Sequence, residues 1–411
     1  MVAVRTSCDE AGRRGVERES HAREGLGRCC RAAENRRIPV FVNHPELQAL
    51  AAHFSIPGAF IDGRPHGTGH INDTYALRFH QRGASRRYIL QMVNQSVFRD
   101  VPALMENVDR VTRHINASLR ASDAADRSRR ALSLVPTRDA ATYHVDPHGE
   151  HWRVYQFIEG ATTYDVLTSN GQAYEIARAF GTMQTMLADL PDPPLNETIP
   201  QFHDGPARFR AFLDALERDP LNRASNAVPE IASLLENADA LDRLPALIDS
   251  GLLRLRATHN DCKINNVMID DQSGEGICVI DLDTLMPGSV LYDFGDMARS
   301  STCPVAEDSL ELDRVRLDLE RFQYLTRGYL SSAGELLTSV EVENLVFSEK
   351  VVTLSLGTRF LTDYLLGDPY FKIHRPQHNL DRCRVQLALV RSIAQQESAM
   401  EDVVEQVVGG N

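Results

Sequence analysis

The stretch from Thr258 to Asp296, THNDCKINNVMIDDQSGEGICVIDLDTLMPGSVLYDFGD, constrains the fold more than any other part of the chain. Two apolar, partly β-branched runs, Val267 to Ile269 and Ile277 to Ile280, flank a segment dense in turn formers, Asp-Asp-Gln-Ser-Gly-Glu-Gly, and this pattern predicts a β-hairpin. Asn266 enters the first strand and Asp281 leaves the second, so a hairpin brings them to one end, within reach of a shared ion. An amide oxygen and a carboxylate form a hard donor pair of the kind Mg2+ accepts, with phosphates and water completing its octahedron. Asp261 then remains free to act as a base and Lys263 to meet a phosphoryl group. Phosphoryl transfer asks these parts of a protein: a group to orient the hydroxyl, metal ligands and a cation.

The series His259-x-Asp261-x-Lys263-x-x-Asn266, a strand, then Ile280-Asp281 is similar to the catalytic loop and metal-binding Asp of protein-kinase-like enzymes. Asp281-Leu282-Asp283, followed by Tyr292-Asp293-Phe294-Gly295-Asp296, resembles the aminoglycoside phosphotransferase branch, which acts on small molecules. Within that branch HNDxKxNN, VIDLDTxMPGSVLYDFGD and RFLTDYLLGDPYF resemble the N-acetylhexosamine 1-kinases. The resemblance implies an α+β fold of two lobes, a small β-rich amino-terminal one and a larger, mainly helical carboxy-terminal one. It implies ATP and Mg2+ as cofactors, Asp261 and Lys263 as catalytic residues, and Asn266 and Asp281 as metal ligands. Substrate would be held by Asp261, Arg359, Tyr370 and Asp283, although Asp283 equally suits the metal site. For Arg359 a helix-face pair with Asp363 is the rival expectation.

The 411 residues suggest more than one lobe, and 44 Lys+Arg against 57 Asp+Glu give a net charge of −13, which opposes non-specific nucleic-acid binding. No apolar run spans a bilayer and no leader pattern opens the chain, so a cytoplasmic protein is expected; the resemblance implies a small-molecule sugar substrate. The seven cysteines lack metal-ligand spacing and read as reduced thiols, Cys262 being a small packing residue in the loop.

Taken in order, residues 1–37 are rich in Arg, Glu, Gly and Ser and read as a disordered extension. Residues 38–157 would form the nucleotide-binding lobe and 158–411 the catalytic and substrate-binding lobe, with a short helix over Pro45 to Phe54 near the start. Gly67, Gly69 and Asn72 form G-x-G-x-x-N before the alternating strand at Tyr75 to Phe79; they resemble a phosphate-covering hairpin, in which glycines let backbone N–H groups approach an anion. The next strand, Tyr88 to Asn94, carries Gln91 where kinases keep a phosphate-binding Lys. Two readings follow: an active enzyme in which Gln91 stays at the nucleotide and Lys263 supplies charge, or a regulatory pseudokinase.

Asp100 to Leu119 has helical spacing with Asp100 as cap, and its Glu106 lacks the Lys that it would pair with. Trp152 to Gly160 reads as a strand that runs into a break at a lobe boundary; the resemblance implies that this is the hinge, with Tyr155 and Phe157 at the adenine. Helices are expected at Tyr174 to Leu190, from Pro206 with Asp204 as cap, and over Asp308 to Leu330, Ser339 to Leu366 and Leu380 to Val404. The combined expectation is a kinase acting on a sugar hydroxyl, foremost the anomeric hydroxyl of an N-acetylhexosamine. An amino sugar, an aminoglycoside, choline or homoserine are alternative acceptors.

Overall fold

The computed structural model describes residues 42–67, 71–122 and 126–410; Gly69 and the 1–37 extension lie outside them. After a helix, α1 (His44–Ala51), come strands β1 (Ala59–Pro65), β2 (Asp73–Gln81) and β3 (Ala84–Met92), helix α2 (Val101–Ala121), and strands β4 (Leu134–Val135), β5 (His144–Val145) and β6 (His151–Gln156). These strands form one antiparallel sheet in the order β1-β2-β3-β6-β4, with β5 also on β6.

The alternation of the strands decides what each face meets. Tyr75, Leu77 and Phe79 on β2, Tyr88, Leu90 and Met92 on β3, and Trp152 and Val154 on β6 share one buried cluster with Leu47 and Phe54. Intervening positions, Ile89 and Tyr155 among them, join the larger core instead. Gln91 and Arg153 belong to this second set and are cross-strand partners. Helix α2 is capped by the Asp100 carboxylate, which accepts from Ala103 N–H at 3.0 Å, and it buries Val101, Leu104, Met105, Val108, Val111 and Ile115 in the same large core.

The remainder is chiefly helical: β7 (Ala161–Thr162), α3 (Asn170–Leu187), α4 (Gly205–Arg218), α5 (Val228–Glu236), α6 (Arg243–Asp249), β8 (Arg256–Thr258), β9 (Val267–Asp270), β10 (Gly276–Val279), β11 (Met286–Gly288), α7 (Val290–Thr302), α8 (Leu319–Ala333), α9 (Ser339–Glu343), α10 (Leu345–Leu366) and α11 (His378–Gly409). An α+β fold with a β-rich half and a helical half is thus observed. Strands β9 and β10 pair antiparallel, and their turn is held by Asp270, whose side chain accepts from Ser273 N–H at 2.7 Å and Gln272 N–H at 3.0 Å. Asp204 caps α4 by accepting from Ala207 N–H at 2.7 Å.

Two helices depart from the sequence expectation. The pattern over Asp308 to Leu330 yields a helix only from Leu319, because Asp318 caps there, accepting from Arg321 N–H at 3.1 Å, and the upstream Leu310 stays 70% exposed with no face to bury. The pattern over Ser339 to Leu366 is broken at Asn344, whose side chain donates back to Val340 O at 2.7 Å, a local bond that competes with helix continuation. Helix α3 begins earlier than expected, at Asn170, capped by Ser169.

Helices α7 and α10 touch at Gly295, where an added Cβ would lie 2.5 Å from Ser348 O and 2.8 Å from Val352 Cγ2. Replacing Gly295 by Ala should lower the unfolding free energy by about 1–3 kcal/mol through overpacking, read as the shift in the urea midpoint. An unshifted midpoint would contradict this close approach.

Candidate active site

The loop between β8 and β9 is shaped from beneath by one carboxylate. Asp293, in the first turn of α7 and fully buried, accepts from His259 N–H at 3.0 Å, Asn260 N–H at 2.6 Å and Gln184 Nε2 at 2.8 Å. Asn260 takes the left-handed conformation, φ 66°, which Asn tolerates, and its amide donates to Thr258 O and Thr284 O, both at 3.0 Å. His259 Nε2 lies 2.9 Å from Ile280 O; a carbonyl only accepts, so this nitrogen carries the proton, and Nδ1 is left to accept from Asp261 N–H at 3.3 Å. The loop and the returning strand are therefore tied through one neutral imidazole.

On this support Asp261 and Lys263 form an ion pair of 3.1 Å, with side chains 24% and 40% exposed, so both are open to solvent. Burial would raise the Asp261 pKa, but attraction to Lys263 outweighs it and holds the carboxyl below the ordinary range, while Asp261 holds the Lys263 pKa up. Val267 pairs with Val279, and Ile280 N–H donates to Asn266 O at 2.8 Å, which sets Asn266 and Asp281 at one end of the hairpin. The Asn266 amide donates to Asp261 O at 2.8 Å and Asp261 Oδ2 at 3.2 Å. Asp281, left-handed at φ 60°, is accessible to solvent, yet the surrounding protein, then Asp283 and Asp261, push its pKa up to about 6.

These donors suit a hard dication. Asn266 Oδ1 and the Asp281 carboxylate accept no hydrogen bond from the described residues, and the mutual repulsion of Asp281, Asp283 and Asp261 is what a bound cation relieves. Asp283, expected at the substrate or metal, is instead 2% exposed: Asn72 Nδ2 donates to Oδ2 at 2.6 Å and Arg153 Nη1 stands 2.6 Å from Oδ1. The same contact accounts for Asn72, whose Oδ1 accepts from Asn94 N–H at 3.0 Å, so its side chain is committed away from phosphates. Removing either charge of the buried Arg153–Asp283 pair strands the other, a loss of about 3–5 kcal/mol.

Gln91 is likewise engaged, accepting from Arg153 Nε and Nη2 at 3.2 and 3.0 Å and donating to Thr74 Oγ1 at 3.1 Å. Tyr155 is buried and paired on both sides, with Ile89 and Leu134, and Phe157 N–H is taken by Arg87 O at 3.3 Å. Hence the backbone groups of these two expected hinge residues are largely spent, and Ile158 is the hinge residue whose backbone no described hydrogen bond engages. Gly67, at φ 76°, has nothing within 4 Å of where a Cβ would stand, and residues 68–70 of its loop lie outside the described residues. Glu106 is solvated, with an amide hydrogen bond from Asn196 at 3.2 Å.

A second group of residues lies near the base. His203 Nε2 donates to Asn260 O at 3.1 Å and its ring stacks on Tyr292, centroids 4.4 Å apart. Burial drives the His203 pKa down to about 3, leaving it neutral. The Arg359 guanidinium lies 5.5, 5.6 and 5.3 Å from the rings of Phe202, Tyr370 and Phe371. It is not paired with Asp363, whose carboxylate accepts from the N–H groups of Tyr370 and Phe371 and from Asn379. Arg208 is pressed down to about 10 by burial and by Arg359, and among the described residues neither arginine has a carboxylate within ion-pair distance.

Residues 62–329 match the model of the phosphotransferase enzyme family. The chain belongs to that family. It is a small-molecule kinase, a phosphotransferase with an alcohol group as acceptor. Spectinomycin phosphotransferase, solved with ADP and spectinomycin, aligns with a TM-score of 0.55 at 13% identity, over 87% of this chain and 99% of its own. Choline kinase from Cryptosporidium parvum gives 0.55 at 13%, over 88% and 99%, and Plasmodium vivax ethanolamine kinase gives 0.51 at 14%, over 88% and 95%. At such identities the likeness shows the fold, which is the two-lobed protein-kinase-like one. Among the described residues no helix of this phosphotransferase is long and apolar enough to cross a membrane.

Arg153 and Arg208 were missed by the sequence reading. Arg153 alternates with Trp152 and Val154 in a strand, a pattern that by itself puts a charged residue on the solvent face, so its burial had no signal in the sequence. Arg208 had none beyond its place one turn after the Asp204 cap.

Cys262 is fully buried, and burial with the nearby Asp293 and Asp296 pushes its thiol pKa well up. Iodoacetamide should therefore leave Cys262 unmodified in the native protein and alkylate it only after denaturation, read by peptide mass spectrometry. Native-state alkylation would contradict the packing role.

Proposed function

We propose that this phosphotransferase uses ATP and Mg2+ to phosphorylate the anomeric hydroxyl of an N-acetylhexosamine, as a cytoplasmic enzyme of two lobes divided near residue 157. The observation that carries the acceptor class is the pair of arginines without carboxylate partners, Arg359 and Arg208, set among Phe202, Tyr370 and Phe371. Choline, ethanolamine or an aminoglycoside would bring positive charge toward unneutralised guanidinium groups. A neutral sugar offers hydroxyls and an acetamide to their donor forks and its C–H faces to the rings. Tyr370, half exposed, is positioned to close over such a ligand.

Asp261 orients the acceptor hydroxyl and takes its proton, its pKa held low by Lys263 so that it is ionised at the start. Lys263 turns its ammonium to the transferred phosphoryl group, where a compact cation is effective. Asn266 and Asp281 hold the metal, and Mg2+ when bound neutralises charge on the β- and γ-phosphates. Gly67 opens the chain's approach to the phosphates, and the hinge that follows Phe157 receives the adenine through Ile158.

The reading is tested by ADP release from MgATP with N-acetylglucosamine, N-acetylgalactosamine, glucosamine, choline and an aminoglycoside. Release should depend on the N-acetylhexosamines and fall by about 100-fold or more in Asp261→Asn with nucleotide binding retained. Asp281→Ala should abolish the Mg2+-dependent part of nucleotide affinity. Choline-dependent release would overturn the acceptor class, and bound nucleotide without turnover on any acceptor would favour the pseudokinase that Gln91 suggests.

A further inference from the structure

The position at which the strand lacks a lysine is not without positive charge. Gln91 on β3 faces Arg153 on β6 in register, and the guanidinium fills the space beside its amide. Arg153 is 1% exposed and its three nitrogens are distributed: Nε and Nη2 to Gln91, Nη1 to Asp283, with Met105 Sδ 3.9 Å from Nη1. Such burial keeps it from meeting a ligand directly. What it holds is Asp283, two residues beyond Asp281, in a turn whose first residue sits in the left-handed region.

The other contacts on Asp283 point the same way. Asn72, entering β2, donates to its second carboxylate oxygen, and Thr198 donates to its main-chain oxygen at 3.1 Å. Arg153 belongs to the sheet and Asn72 immediately precedes its strand β2, whereas Asp281 and Asp283 belong to the helical half. The sheet therefore grips the short turn that carries Asp281, and it does so through one buried charge pair. Without the arginine, Asp283 would be a second unneutralised carboxylate beside Asp281, and the turn would keep only the neutral hydrogen bonds from Asn72 and Thr198.

We infer that Arg153 is a positioning residue which supplies, from β6, the buried positive charge beside Gln91: by pairing with Asp283 it fixes Asp281 for the metal-bound nucleotide. The inference rests on the nucleotide and metal site proposed above. Arg153 acts through Asp283 and contacts neither nucleotide nor acceptor.

The test uses the full chain and titrates ADP by calorimetry at a series of Mg2+ concentrations, with adenosine as a phosphate-free probe. Arg153→Met should raise the Mg2+ concentration needed for half-maximal ADP affinity by about 10- to 100-fold, the range for residues that orient metal ligands, and leave adenosine affinity unchanged. Gln91→Lys added to Arg153→Met returns a cation to the same pocket and should recover most of that loss. Should Arg153→Met fail to fold, as judged by circular dichroism, Arg153→Lys and the double variant keep the charge and carry the comparison. An unchanged Mg2+ requirement in folded Arg153→Met, an equal loss of adenosine affinity, or no recovery in the folded double variant would each overturn the inference. Wild-type protein that binds no MgADP would overturn the nucleotide site itself, which is a distinct outcome.

Discussion

The Asp293 carboxylate is the support on which the active site stands. It is fully buried, and the two backbone N–H groups of His259 and Asn260 and the Gln184 amide satisfy it. Those bonds in turn oblige the chain to turn sharply at Asn260, where an Asn side chain can tie the left-handed residue to Thr258 and Thr284. Everything downstream inherits this shape: Asp261 and Lys263 are presented to the cleft, and His259 is locked to the strand that ends at Asp281. Helix α7 supplies Asp293 and packs through Gly295 on α10, so the loop is tied to the helical core.

Around that loop, charge is distributed in two tiers. Asp261 and Lys263 are open to solvent and neutralise one another across 3.1 Å, a pair that an incoming phosphoryl group can rearrange cheaply. Arg153 and Asp283 form a buried pair that cannot be rearranged without stranding a charge. Asp281 lies between the tiers with its pKa raised to about 6, repelled by both other carboxylates. With a buried pair behind and a solvent-open pair in front, Asp281 and Asn266 offer the oxygen donors to which the proposal assigns the metal.

The acceptor side is built on a different principle. Neutral His203 and the stacked Tyr292 join the loop to a group of aromatic rings around Arg359. Among the described residues no carboxylate stands within ion-pair distance of either Arg359 or Arg208, which is what the proposed acceptor class rests on. In relatives of the same fold, named for choline and ethanolamine, the acceptor is a cation. One fold can serve both because the catalytic hairpin is separate from the helices that frame the acceptor.

Local interactions were legible in the sequence because they are fixed by residues near one another in the chain. The hairpin with Asn266 and Asp281 at one end follows from a turn of five residues, and the Asp100 and Asp204 caps follow from a carboxylate three residues before the N–H that it accepts. The helix expected from Asp308 was not formed because Leu310 found no core to bury against, a fact decided by the packing of other elements. Tertiary structure alone decided that Asp283 belongs to Arg153, 130 residues earlier in the chain, and that Asn72 turns to it as well. A charge pair between a strand and a distant turn depends on how the sheet meets the helical half. The pattern of Trp152 to Gln156 says only that Arg153 lies on the face opposite Trp152 and Val154; its burial and the identity of its counterion exist only once the two halves are in contact.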